Sequence, residues 1–410
     1  MGRRSAKYSR VPRPRTCGKP AGGAPLCGEN LVQPIRIGVI GVDNRGAYYV
    51  REFHENVPGA VVTAGMDIRE EHLARFRDCA GPDALATSDY RELVNHPDVD
   101  AVVVASPDSF HEEQGLAVLE AGKHLLLEKP MAITVEGCDR LLAAHKQTDT
   151  VFGLGLCMRY MPMFQTMKKI IESGDIGDVK AYWCNHYVGK GGHFYFHDWH
   201  AVRETSTGLL LQKGTHDLDI MHFLTGCFAE RLAAFGSRDY FGGDKPNDLH
   251  CPDCPDKETC PEAQLGDWPD YFTLCAFRRQ VDVEDNHVLI MELEEGIKAA
   301  YQECHFTPDY HRDHIVIGTK GRLQNDQATD TVSLTTRRGS ADAVYHIKAE
   351  GDAHGGGDPL MCRDFIAAIR EGRPMLTDPL AGRMSVAAGV AAHESIRNGG
   401  KIIHISRPPV

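Results

Sequence analysis

The sequence predicts an α/β chain, with an N-terminal parallel-sheet domain and a C-terminal α+β domain holding a large, mainly antiparallel open sheet. Three observations carry that expectation. From residue 35 to about 156, strand-length apolar runs alternate with segments of helical period. Those strands are apolar almost throughout, as strands covered on both faces are. Beyond 157 the strand-like runs alternate apolar with polar residues and are joined by tight turns, as in a sheet with one covered face.

Residues 35–40 (IRIGVI) form the first strand, 41–46 a turn, and a helix runs on to about 56. A second strand at 60–66 precedes a helix bearing Glu70, Glu71, Arg75 and Arg77. A short helix follows at 89–93, then a wholly apolar strand at 101–105 (AVVVA) and a helix at 110–121 that stops at Gly122. Strand 124–127, helix 134–145 and strand 152–156 close the set. In the second half, strands are expected at 176–187, 231–237, 287–294, 297–305, 314–318, 332–335 and 343–347. Turns fall at Glu295-Gly296 and 319–321, and helices at 161–173, 214–225, 358–371 and 380–397 are expected to cover one face of that sheet. The chain thus divides into a leader at 1–34, a parallel-sheet domain at 35–156 and an α+β domain at 157–410.

Composition narrows the function. The 410 residues carry 45 basic and 57 acidic side chains, a formal net charge of −12. An acidic balance is the wrong footprint for tracking nucleic-acid phosphates. No apolar run nears the ~20 residues of a membrane span, so neither nucleic acid nor membrane is expected as a partner. The leader holds its basic residues against a single acid, Glu29, and is rich in Pro and Gly. It reads as an unstructured extension or as a docking arm over another subunit. It lacks the apolar segment of a secretory signal. Among 13 Cys, Cys79, Cys138, Cys157, Cys184, Cys227 and Cys362 sit singly within periodic segments. They read as reduced core thiols of a cytoplasmic protein.

The chemistry gathers at the carboxyl ends of the first-domain strands, where open α/β sheets bind ligands. The first turn, Gly41-Val42-Asp43-Asn44-Arg45-Gly46, stands where a dinucleotide fingerprint would place G-x-G-x-x-G. Its outer glycines permit a tight turn and close approach of a diphosphate to the helix N-terminus. Asp43 replaces the middle glycine, and a carboxylate there is acceptable only if it points away; an ordinary strand–helix loop is the competing reading. Asp67 ends the second strand. An acid there can accept the adenosine ribose hydroxyls and repels a 2′-phosphate, favouring NAD over NADP; a solvated helix-start Asp is the bland alternative. Ser106-Pro107-Asp108, with His111 close behind, follows the third long strand. Glu128-Lys129-Pro130 follows the next, holding a lysine at the crevice mouth.

Taken together, residues 35–46, SPDSFH at 106–111 and AGKHLLLEKP at 121–130 resemble the Gfo/Idh/MocA oxidoreductases, the relatives of glucose–fructose oxidoreductase and inositol dehydrogenase. The resemblance continues through Arg159-Tyr160, SGDIGDV at 173–179, GTHDLDIMHFLTG at 214–226, HIVIGTKGRL at 314–323 and the helix before Gly399, covering nearly all of 35–405. It implies a Rossmann domain, a second domain with an open sheet, and oxidation of a ring hydroxyl of a sugar, sugar derivative or cyclitol (or reduction of the ketone) with NAD(P). It places Lys129 beside the nicotinamide and the reacting oxygen, and His216 as acid/base. Gln212 and Lys213 precede His216 near the substrate. Gln212 stands where inositol dehydrogenases have an Asp; it can orient the histidine but cannot stabilise an imidazolium by charge. Arg159 is implied at the cofactor and Tyr160 at the substrate. A homo-oligomer through the open sheet face is also implied. The residues fit the chemistry on their own terms. An imidazole has a reference pKa near ~6.5, suited to proton exchange, and an ammonium can hold an alkoxide-like oxygen.

Two loops stand out further. Residues 186–204 (HYVGKGGHFYFHDWHAVRE) crowd His and aromatic residues among glycines, making Trp199 and His200 substrate candidates unless the loop packs beneath the sheet. Asp352, His354 and the glycines at 355–357 form a second polar loop that could approach the same cleft. Separately, Cys251, Cys254 and Cys260, with C-x2-C spacing among prolines, read as a structural zinc clip whose fourth ligand is His250 or Cys275. Unpaired thiols or a local disulfide are the alternatives. Three functions follow: an NAD-dependent dehydrogenase first, a redox-neutral NAD-dependent glycosidase on the same scaffold second, and a non-catalytic nucleotide-sensing regulator third.

Overall fold

The structure is a computed structural model that describes residues 33–189, 191–266, 268–339, 341–348 and 354–409. Nearly all of the basic leader, and Asp352, therefore lie outside the described residues.

The first sheet contains β1 (Ile35–Ile40), β2 (Ala60–Met66), β3 (Leu85–Thr87), β4 (Ala101–Val104), β5 (His124–Leu127) and β6 (Phe152–Leu154). All pair in parallel in the order β3-β2-β1-β4-β5-β6. Helices α1 (Asn44–Arg51), α2 (Glu70–Ala80), α3 (Tyr90–Val94), α4 (His111–Glu120) and α5 (Val135–His145) connect the strands. All four side chains of β4 are buried, which explains its unbroken valine run. Strand order reverses between β1 and β4, so a crevice opens beyond their carboxyl ends. Thr134 starts α5 by accepting a hydrogen bond from the Gly137 amide at 3.0 Å.

The second sheet has nine strands: β7 (Val179–Tyr187), β8 (Ala229–Ser237), β9 (Asn286–Leu293), β10 (Lys298–Cys304), β11 (His311–Gly318), β12 (Gly321–Asp326), β13 (Thr331–Thr336), β14 (Ala343–His346) and β15 (Ile403–His404). Their order is β14-β13-β12-β11-β7-β10-β9-β8-β15, antiparallel except where β10 joins β7. Between β6 and β8 run α6 (Pro162–Glu172), the short helices α7 (Arg203–Ser206) and α8 (Leu209–Gln212), and α9 (Thr215–Thr225); α10 (Gly357–Glu371) and α11 (Pro379–Arg397) follow β14. Residues of α6, α9 and α11 fill one core against this sheet. The opposite face is open and apolar in places: Ile290, Phe235 and Trp183 are 63%, 62% and 48% exposed.

Three features depart from the sequence expectation. Helix α10 does not cover the second sheet. Its Met361, Cys362 and Phe365 pack with Ile37 and Val39 of the first sheet and with Tyr49 and Phe53 on the helical segment after it, and the Phe53 and Phe365 rings lie 6.3 Å apart. The aromatic face of α1 needs that cover, and fully burying one such side chain is worth roughly 1.5–3 kcal/mol. Strands β3, β12 and β15 are also present beyond those expected; each is short or polar enough to leave a weak pattern. Finally, Cys79 is disulfide-bonded rather than a lone core thiol, whereas Cys138, Cys157, Cys184, Cys227 and Cys362 are free and buried. Among the described residues no helix is long and apolar enough to cross a membrane.

Candidate active site

The first turn is shaped for close approach. Gly41 has φ of 81°; a Cβ on it would meet the Ala105 carbonyl oxygen at 2.9 Å, and one on Gly46 would stand 1.6 Å from the Gly41 carbonyl oxygen. Helix α1 opens at Asn44 with its first amides available, an anion-binding arrangement. Asp43 does not leave its charge free. Its carboxylate lies 3.4 Å from Arg75 Nη2 and 3.7 Å from His72 Nε2, and accepts a hydrogen bond from the Tyr271 hydroxyl. Asp67, buried at the end of β2, accepts from the Arg69 amide at 3.0 Å and lies 3.1 Å from His72 Nδ1. Tyr271, on the long connection between β8 and β9, also stacks under the Arg69 guanidinium at 4.5 Å. No motif marks Tyr271 in the sequence; only its aromatic neighbour Phe272 hints at a packed segment.

The loops after β4 and β5 are tied together from beneath. His111 is buried with Nδ1 2.7 Å from the Pro130 carbonyl oxygen and Nε2 2.9 Å from that of Ser106. It braces the two loops instead of presenting a free ring. Ser106 Oγ donates to Gln114 at 2.6 Å, and Pro107 leads into the turn carrying Asp108. Glu128 accepts from Arg45 at 2.5 Å and from Tyr49 at 2.6 Å, and Arg45 continues to Asp358 at 2.6 Å. Burial pushes the Glu128 carboxyl up, but Arg45 and the Tyr49 hydroxyl outweigh it and hold it below the usual range. Arg45 is thus a strut between the β5 loop and α10.

Lys129 precedes a cis peptide bond to Pro130. Its Nζ donates to the Gln212 carbonyl oxygen at 2.7 Å, which brings the lysine of one domain to the end of α8 in the other. His216, in the first turn of α9, is 5% exposed, and its Nδ1 has no hydrogen-bond partner. Burial, then the charges of Lys129, His354, Arg312 and Lys213, lower its pKa well below the ordinary histidine value. The His354 ring is 5.9 Å from that of His216, and its Nδ1 lies 2.7 Å from Asp358. Asp108 is buried beside this group with one carboxylate oxygen unpartnered. Burial raises its pKa against the opposing charges of His111, Lys129 and His200.

The His- and aromatic-rich loop lies over the same region. Trp199 and His200 stack at 3.7 Å, and His200 Nδ1 is 2.7 Å from Asp198. The Tyr195 ring stands 5.5 Å from His200 and 5.7 Å from Lys213 Nζ. Gln212 contributes its main-chain carbonyl to Lys129, while its side-chain oxygen is buried without a partner. Two expected residues are drawn elsewhere. Arg159 is paired with Asp219 at 2.8 Å and with the Leu376 carbonyl oxygen at 3.1 Å; Tyr160 donates to Asp364 at 2.6 Å. Both polar ends anchor α9 and α10 connections, because a buried guanidinium or phenol takes the nearest carboxylate.

Cys251, Cys254, Cys260 and Cys275 line one small pocket apart from this group. His250 is drawn off to Thr273 Oγ1 at 2.7 Å, so Cys275 is the residue that joins the three clip cysteines. The Cys251 amide to Thr273 (2.7 Å) and the Cys275 amide to Leu249 (2.8 Å) hold the two segments side by side.

Comparison with known proteins agrees with this architecture. The model of an oxidoreductase family, NAD-binding Rossmann fold, matches residues 35–156, and that of the family's C-terminal alpha/beta domain matches 168–403. The chain is 26% identical over 366 residues to the putative oxidoreductase YteT of Bacillus subtilis, covering 78% of this chain and 85% of that protein. It is 23% identical over 381 residues to a myo-inositol 2-dehydrogenase of Thermotoga maritima, covering 88% and 96%. Among solved structures, levoglucosan dehydrogenase in complex with NADH and L-sorbose shares the fold with a TM-score of 0.72 at 20% identity, covering 92% of this chain and all of that one (100%). The apo scyllo-inositol dehydrogenase of Lactobacillus casei does so at 0.70 and 20%, covering 91% and 98%.

Proposed function

Because the chain belongs to the Gfo/Idh/MocA oxidoreductase family, we propose that it is an NAD-dependent dehydrogenase acting on a ring hydroxyl of a sugar, sugar derivative or cyclitol. The observation that carries this is the meeting of Lys129 with the end of α8, through the 2.7 Å bond to the Gln212 carbonyl oxygen, four residues before His216 in the first turn of α9. The Gly41–Gly46 turn fits a dinucleotide-binding turn, since both outer glycines lie too close to neighbouring backbone to carry a side chain and so allow the tight strand–helix bend. Asp67 supports NAD over NADP, because a 2′-phosphate there would meet a buried carboxylate.

Oxidising a secondary alcohol requires a hydride acceptor, which the bound nicotinamide supplies, and a base. The Lys129 ammonium holds the reacting oxygen as negative charge develops on it. His216, kept neutral by burial and neighbouring cations, is a free base at neutral pH. The same cations make an imidazolium there short-lived. Tyr195, Trp199, His200 and Lys213 offer aromatic faces and polar ends suited to a polyol ring. The names of the inositol and levoglucosan dehydrogenase relatives support that substrate class.

The four cysteines that line one pocket support a structural zinc clip of the kind that thiolate coordination makes. The exposed apolar face of the second sheet supports assembly of like subunits. The test of function is to incubate the enzyme and NAD with a panel of cyclitols and sugars and follow NADH. Net NADH is expected; release of an aglycone without NADH would instead identify a redox-neutral glycosidase, and neither reaction with retained NAD binding would identify a regulator.

A further inference from the structure

Behind the candidate active site, the ladder of the second sheet assembles a second cluster. In register, Glu303 of β10 faces His287 of β9 on one side and His186 of β7 on the other. His305 follows two residues on and so returns to the same face. Gly236 of β8 lies opposite His287, and a Cβ there would come within 3.1 Å of its ring. The row therefore gives three potential ligands one side of the sheet and leaves the imidazole room. We propose that His287, Glu303 and His305 bind a divalent transition-metal ion, zinc being the ion that the two-imidazole, one-carboxylate set suits best.

The first support is geometric. One donor atom from each of the three residues lies within 4.8 Å of the others, close enough to converge on an ion at ~2.0–2.2 Å with small side-chain rotations. The second is independent of it. The three residues are 0–1% exposed, yet both nitrogens of His287, both nitrogens of His305 and both oxygens of Glu303 have no hydrogen-bond partner. The nearest approach inside the group is Glu303 Oε1 to His305 Nε2 at 3.0 Å. Leaving a buried donor or acceptor unsatisfied is costly, so the four atoms outside the Glu303 Oε1–His305 Nε2 contact call for an occupant. Without a cation, burial raises the Glu303 carboxyl and lowers His287 to about 4 and His305 to about 3. A bound ion reverses that preference for the carboxylate and needs the imidazoles neutral.

Comparison with two other ligand-like groups sharpens the assignment. Cys184, Asp217 and His314 converge similarly, but Asp217 is already paired with Arg312 at 2.7 Å. Cys157, His354 and Asp358 converge, but Asp358 is paired with Arg45 at 2.6 Å. In each, a guanidinium takes the place of an ion. Among the described residues no Lys or Arg makes such a contact with the third group. The site also borders the substrate loop, the His305 ring lying 5.5 Å from Tyr195, so an ion would stiffen the floor beneath that aromatic.

The inference does not rest on the dehydrogenase reading or on the cysteine clip. Its test is zinc content by elemental analysis of the full chain, produced in zinc-supplemented medium, for the wild type, Glu303→Gln, His305→Gln and the double variant Cys254→Ser/Cys260→Ser. Glu303→Gln keeps the side-chain shape, and a thermal melt checks that each variant is folded. Folded Glu303→Gln and His305→Gln proteins should each lose one equivalent of zinc relative to wild type, while the cysteine variant retains one. Wild-type zinc content in folded Glu303→Gln and His305→Gln, or no zinc at all in the folded cysteine variant, would overturn the assignment.

Discussion

At the scale of single residues, electrostatics separates the two proposed working groups. Lys129 is held at the crevice by one main-chain carbonyl, while His216 is buried among positive charges and stays neutral. The sign of the pH effect follows. A base must be deprotonated to act, and a pKa lowered below the ordinary ~6.5 leaves it deprotonated further into acid. For alcohol oxidation, kcat/KM is therefore expected to hold steady as pH falls from 7.5 to 6, with the acid limb displaced below the usual histidine range. A rate profile that halves near pH 6.5 would assign the base elsewhere. Much of this site is legible in the sequence, because Glu128, Lys129 and His216 sit at fixed places after strands and at a helix start. The roles of Arg45, His111, Arg159 and Tyr160 are not. Each contacts atoms far away in sequence, such as Asp358, Pro130, Asp219 and Asp364, and a lone side chain carries no sign of which buried carboxylate or carbonyl will claim it.

At the scale of elements, the strands of the first sheet other than the short β3 are readable because burial on both faces gives continuous apolar runs; β1 and β2 begin and end where the pattern says. The alternating strands of the second sheet were readable for the complementary reason, as the burial of β9 shows. Helix α10 misled because amphipathicity shows that a helix is covered on one side but not by which sheet. The β1–α1 turn allows a sharp test. A methyl group on Gly46 would overlap the Gly41 carbonyl oxygen, so Gly46→Ala should abolish NAD binding measured by calorimetry while leaving a folded second domain. Unchanged NAD affinity would show that the turn is an ordinary strand–helix connection.

For the whole molecule, the two sheets are joined by shared elements as well as by the site. Helix α11 gives Ala388, Ala391 and Ala392 to the core of the second sheet and Ala381 and Val386 to that of the first. Its small residues let it run close to both; Gly389 has Leu211 Cα only 3.1 Å from where its Cβ would be. The open face bears the exposed apolar side chains of Trp183, Phe235 and Ile290, the character of an interaction surface. Ile290→Glu should convert an assembly to monomers in sedimentation experiments, with the fold intact; a wild-type monomer would remove that reading. The central claim is that Lys129 supports chemistry and not merely nucleotide binding. The most direct measurement pairs NAD calorimetry with NADH formation on the best cyclitol or sugar, for wild type and Lys129→Ala. The account predicts NAD affinity close to wild type and turnover reduced about 10²–10³-fold, the usual cost of removing one oxyanion-stabilising group. Equal turnover in the two proteins would contradict it.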